Sequence, residues 1–148
     1  MNRVLFAVSA LAVVASACSR TDTTLGCPTT AAAQAAVHDS ALPMESETAT
    51  KSMGQLETRN RLTCFFIVET KWGESGRATT RLVLWDAVRG LDGWYSLPGV
   101  QLTTIGPGRF EYTDSEGATQ TLDLSTNTMR DELWIDGEIV HFTPTKQH

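Results

Sequence analysis

The chain has 148 residues and a formal net charge of −5, from 12 Lys and Arg against 17 Asp and Glu. A mildly acidic surface repels a phosphate backbone, so nucleic acid is not an expected partner. Composition, 41% hydrophobic and 20% charged, is that of an ordinary globular protein, and the length suits one domain with its own core.

Met1-Asn2-Arg3 carries one positive charge, and Val4 to Ala17 then runs uncharged. As a helix that run is about 21 Å long at ~1.5 Å per residue. Crossing a bilayer core takes roughly 20 apolar residues, so residues 1–17 have the proportions of a cleaved export signal. The small residues Ala15-Ser16-Ala17 stand where a signal peptidase needs them, and Cys18 follows. Ala15-Ser16-Ala17-Cys18 resembles the lipobox of bacterial lipoproteins, although Leu is commonest in that family where Ala15 stands. The resemblance implies that the Cys18 thiol receives a diacylglyceryl group and that cleavage leaves Cys18 as the first residue, anchored by palmitate-type chains. More than one acyl chain gives stable membrane attachment. Ser19 rather than Asp comes next. By resemblance to sorting in two-membrane bacteria, this implies an outer-membrane anchor facing the periplasm. The same three residues also read as an ordinary A-x-A site cut at the same bond, which would release a soluble exported protein.

Cysteine arithmetic follows from that address. Three cysteines are present, Cys18, Cys27 and Cys64, and disulfides persist outside the cytoplasm. With Cys18 lipidated, Cys27 and Cys64 are expected to pair. There is no Cys-x-x-Cys spacing to suggest a redox site or a zinc knuckle.

Residues 18–26 read as the lipidated cysteine and a short polar tether, and 27–148 as a single globular domain. Removal of 1–17 takes Arg3 away and leaves a net charge of −6. Pro28, Thr29 and Thr30 precede Ala31-Ala32-Ala33-Gln34-Ala35-Ala36-Val37, which predicts a short Ala-rich helix with a threonine cap. Pro43 ends it. Residues 44–58 fit a second helix, a loose excursion or an edge strand, with Met53 and Leu56 pointing inward in each case.

From Leu62 the hydrophobic period becomes two. Leu62, Cys64, Phe66 and Val68 share one face, and Phe65 and Ile67 the other. Short strand-like runs follow, over 79–88, 94–97, 100–105, 109–113 and 119–124, separated by Gly, Pro, Asp and Asn. The last pair, Glu132-Leu133-Trp134-Ile135 and Glu138-Ile139-Val140-His141-Phe142, flanks Asp136-Gly137, a strong type I′ hairpin signal. Between Leu62 and Phe142 there is no helical crossover, which excludes parallel pairing. The predicted fold is mainly β: an antiparallel meander of about eight strands, which must close into a barrel or fold into a sandwich because open edges invite aggregation; a barrel or strongly curved sheet is the favoured form, with the Ala-rich helix over one face or end.

Catalytic signatures are missing from the sequence. His38, His141 and His148 are scattered, with no metal-ligand spacing. Gly73-Glu74-Ser75-Gly76 lacks the spacing of a nucleophile elbow, and Gly106-Pro107-Gly108 has neither lysine nor following helix to cradle phosphate. No catalytic residue, metal site or cofactor is therefore expected. Among four tryptophans, Trp85 and Trp134 sit mid-strand in apolar company and are expected in the core. Trp72 lies beside a glycine turn, and consecutive strand residues face opposite sides, so Trp94 or Tyr95 is expected outside unless both are covered. Trp72, Trp94 and Tyr95 are thus the candidate contact residues, exposed aromatics being enriched at protein contacts.

These features point to a non-catalytic protein-binding, inhibitory or accessory module, held at the membrane by its N-terminal lipid and meeting a protein partner in the envelope. A barrel carrying a lipid or other small ligand, and a structural subunit of an envelope or secretion complex, are the alternatives.

Overall fold

A computed structural model of the chain describes residues 26–41, 46–72 and 76–145. Among them, one helix, α1 (Thr30–Ala41), precedes nine strands. The strands are β1 (Ser46–Thr58), β2 (Arg61–Trp72), β3 (Arg77–Asp86), β4 (Gly90–Leu97), β5 (Thr103–Gly106), β6 (Arg109–Thr113), β7 (Thr119–Asp123), β8 (Glu132–Ile135) and β9 (Glu138–Pro144). The segment expected as helix, excursion or edge strand is the edge strand β1.

Every pairing is antiparallel. The expected barrel is not what forms. The strands make two open sheets, one of six in the order β1-β2-β3-β4-β9-β8 and one of three in the order β5-β6-β7. The chain leaves the large sheet after β4, builds β5–β7, and returns so that β9 pairs with β4. That detour leaves β1 and β8 as separate outer strands, so the edges are not joined.

The alternation of side chains along β2 explains the layering. Phe65 and Ile67 join Leu82, Leu84, Tyr95, Phe110, Tyr112, Leu122, Leu124, Leu133, Ile135 and Val140 in one buried cluster fed by both sheets. Phe65 and Phe110 meet across it edge to face, with ring centroids 5.3 Å apart. Cys64, Phe66 and Val68 point the opposite way and pack with Ala33 and Val37 of α1, Val83 and Trp94. The architecture is therefore helix, six-stranded sheet and three-stranded sheet. A central strand covered on both faces is apolar at successive positions, as Cys64 to Val68 are.

Local chemistry fixes the pieces. Thr29 caps α1 through its hydroxyl, which accepts from the Ala32 amide at 3.2 Å. The small Ala33 and the Cys27–Cys64 disulfide hold that helix against β2. Gln34 donates to the Thr48 carbonyl and accepts from the Thr50 hydroxyl, linking α1 to β1. In β1 the register shifts between Ser52 and Gln55, a bulge that bends an edge strand away from further pairing. Met53 and Leu56 both point into the inter-sheet core. The Thr104 hydroxyl of β5 donates to the Met53 carbonyl at 2.8 Å, so the small sheet leans on this edge.

Tyr95 ties the approach to β8 into the core. Its ring is fully buried and tilts against Phe142, 5.1 Å between centroids. Its hydroxyl lies 3.1 and 2.8 Å from the carbonyls of Thr128 and Arg130, to which it donates. Burial, first, pushes its pKa up from 10.0 to about 12. A folded-state pKa above the unfolded value means the contribution is fully present below about pH 10 and is lost as pH rises through about 12. Stability should thus fall between those pH values, as read by alkaline unfolding curves. In Tyr95→Phe that component of the fall disappears, while stability at neutral pH drops by about 1–2 kcal/mol because the carbonyls lose their donor.

Candidate functional site

The expected contact aromatics are not on the surface where they are described. Trp94 and Tyr95 do face opposite sides of β4, and both sides are covered. Trp94 lies against α1's layer with the Arg81 guanidinium 5.9 Å from its ring centroid, and Tyr95 lies between the sheets. The contact surface expected at this pair is therefore absent, because β4 is an interior strand with a layer on each face. The Trp72 side chain and Cys18 lie outside the described residues, as do the side chain of His38 and His148.

Among the described residues the exposed aromatic is instead Trp134, expected in the core and found 69% exposed. The reason is its place in the sheet. Leu133 and Ile135 of β8 point into the inter-sheet core, so Trp134 between them points outward, and no layer covers that face. Directly across the ladder stands Ile139, 45% exposed. Glu132 and His141 form the next pair on the same face, 3.6 Å apart. Trp85, the other tryptophan expected inside, is partly buried against the helix-side cluster.

The turn of this hairpin is the predicted one. Asp136 and Gly137 both have positive φ, 50° and 76°, as a type I′ turn requires. The Asp136 amide donates to the Tyr112 hydroxyl at 3.3 Å, and its carboxylate accepts from the Ser115 amide at 2.8 Å. The β8–β9 turn is thereby joined to the β6–β7 turn. Between them runs a groove of about 320 Å³, lined by Tyr112, Asp114, Glu116, Gln120, Trp134 and Asp136 among others.

The groove is acidic and has no basic residue in its lining. Hydrogen bonds from the Gln120 amide, first, and then from the Ala118 backbone hold the Asp114 carboxyl below the usual carboxylate range. Asp114 also accepts from the Glu116 amide, which shapes the turn. This is a fixed anionic rim beside an exposed indole.

A second charged group sits at the other end of the large sheet. Arg61 at the start of β2 bridges Asp86 at 2.9 Å and Asp92, and Arg89 approaches both carboxylates at 3.4 Å. Asp86 accepts the amides of Val88 and Arg89. Its burial would raise its pKa, but those two bonds and the arginines bring it down, whereas desolvation leaves Asp92 raised. Positive and negative groups here satisfy one another, so the cluster closes the β3–β4 turn. Among the described residues no group of three or more His, Cys, Asp or Glu is arranged to hold a metal ion, and no helix is long and apolar enough to cross a membrane.

Comparison with protein-family models, with curated proteins and with solved structures finds no match to this chain.

Proposed function

We propose that this chain is an envelope lipoprotein, tethered through Cys18 and residues 19–26, whose folded domain is a non-catalytic binding module for a protein partner. The observation that carries the binding role is the outer face of the β8–β9 hairpin. There Trp134 and Ile139 stand side by side, exposed, on the last strand pair of the large sheet. Tryptophan is enriched among residues that dominate interfaces, and a paired apolar patch with a polar rim has the anatomy of a contact site. Among the described residues, the other exposed large apolar group outside the hairpin and β5 is Val88, in the β3–β4 turn. Support for the extracytoplasmic address comes from the leader sequence and from the Cys27–Cys64 disulfide, which suits an oxidising compartment.

Two measurements test the two halves. Cells expressing the chain are fed radiolabelled palmitate; label in the mature protein that vanishes in Cys18→Ser supports the anchor, and unlabelled protein refutes it. For binding, wild-type protein and the double variant Trp134→Ser, Ile139→Ser are used as bait on envelope extract, with Val88→Ser as the control. A partner retained by wild type and Val88→Ser but lost by the double variant supports the reading. Retention unaffected by the double variant counts against the hairpin as the site.

A further inference from the structure

We propose that the free edge of β8 takes a basic, extended peptide segment of the partner as an added strand. This rests on the binding role assigned to the hairpin, and it names the partner's contacting chemistry.

The backbone geometry comes first. With a two-residue turn, Ile135–Glu138 and Leu133–Val140 are the pairs that exchange hydrogen bonds. The N–H and C=O groups of Glu132 and Trp134 therefore point away from β9, to the outer edge of the six-stranded sheet. Natural edges are blunted by bulges, prolines, lysines or covering segments. The opposite edge, β1, has two such devices, the Ser52–Gln55 register shift and the Thr104 contact. β8 has no register shift, proline or lysine; its shortness, four residues beginning at Glu132, confines the open ladder to the outward groups of Glu132 and Trp134. The amide of Asp136, the next outward group, is already taken by the Tyr112 hydroxyl. An added strand thus has four backbone groups to pair with and a defined stop at the β6–β7 turn.

Side-chain chemistry sets the sign of the segment. At that stop lies the groove of about 320 Å³ with Asp114, Glu116 and Asp136 and no base in its lining. The nearby basic groups, Arg130 and His141, stand toward the other end of the hairpin, at the start of β8 and opposite Glu132. A lysine or arginine from the added strand would enter the groove with its charge among the carboxylates and against the Trp134 ring, a cation–π position. Strand-like backbone sites favour a peptide over a neutral glycan, which has no amide ladder to offer.

The test uses the protein as purified from the envelope and a short acetylated peptide of alternating valine and arginine. Binding is followed by tryptophan fluorescence and by slowed amide exchange at Glu132 and Trp134. The expected result is saturable binding that weakens at least about tenfold, or about 1.4 kcal/mol, when glutamate replaces arginine in the peptide. Glu132→Pro removes an outward N–H at a position where an edge strand tolerates proline, and should weaken binding by a similar factor with the circular dichroism unchanged. Should that variant lose the hairpin, the same peptide N-methylated on its β8-facing amides gives the equivalent readout. Equal binding by the N-methylated peptide, or by Glu132→Pro with its fold intact, overturns strand addition. Trp134-dependent binding of a neutral cello-oligosaccharide with none of the peptide also overturns it. If the peptide fails while the hairpin-sensitive envelope partner is still retained, strand addition falls and the binding role stands. If neither is retained, both fall.

Discussion

A variant with both Cys27 and Cys64 changed to alanine loses about 3–4 kcal/mol of unfolding free energy. The two cysteines are 37 residues apart in sequence. Closing a loop of that length removes about this much chain entropy from the unfolded state, against roughly 5–15 kcal/mol for a typical domain. The loop it closes contains α1 and β1, the helix layer and one edge of the large sheet. Loss should therefore be felt first there: amides of α1 exchange faster, while those of β2, β3 and β4 keep most of their protection. Urea unfolding, with and without reductant on the wild-type protein, gives the same quantity without substitution. A loss below about 1 kcal/mol in both measurements would show that the disulfide adds nothing the packing does not already supply.

The second large effect falls on the strand pair that carries the hairpin. Gly93→Ala places a Cβ 2.2 Å from the Thr143 carbonyl oxygen, 2.7 Å from the Phe142 ring and 2.9 Å from the Pro144 Cα. None of these can yield without moving β9, which joins β4 through Gly93↔Pro144, Trp94↔Thr143 and Tyr95↔Phe142, with the Thr145 amide donating to the Asp92 carbonyl just beyond. Overpacking of this kind costs about 1–3 kcal/mol and more where backbone is struck. The expected loss is about 3 kcal/mol, with the β8–β9 hairpin released from β4 and hairpin-dependent partner binding lost with it. Unchanged stability together with unchanged partner retention would mean that the hairpin does not depend on this junction.

The sequence carried the strand pattern further than it carried the closure. The alternation of Leu62 to Val68, the Asp136-Gly137 hairpin, the threonine cap of α1 and the Cys27–Cys64 pair are local or arithmetic signals, and each is found. What alternation does not encode is which strand pairs with which. β4 pairs with β9 across 40 intervening residues, from Pro98 to Gly137, of which β5–β7 form a second sheet; a meander read strand by strand would have joined β4 to β5 and closed on itself. The same ignorance misplaced the aromatics. Trp94 and Tyr95 sit in a strand covered on both faces, and Trp134 in a strand covered on one. A signal for Trp134 was present in its neighbours: the polar residues Glu132 before it and His141 across the turn share its face, as on the uncovered side of an alternating antiparallel pair.

The account rests on the hairpin's outer face being the surface a partner occupies. A photo-reactive phenylalanine analogue placed at position 134 in living cells tests this directly, with the same analogue at position 88 for comparison. Irradiation should convert the chain into one discrete, higher-mass adduct from position 134, diminished when Glu132→Pro is added, and none from position 88. Adducts of equal yield from both positions, or none from 134 under conditions where the protein is folded and exported, would contradict it.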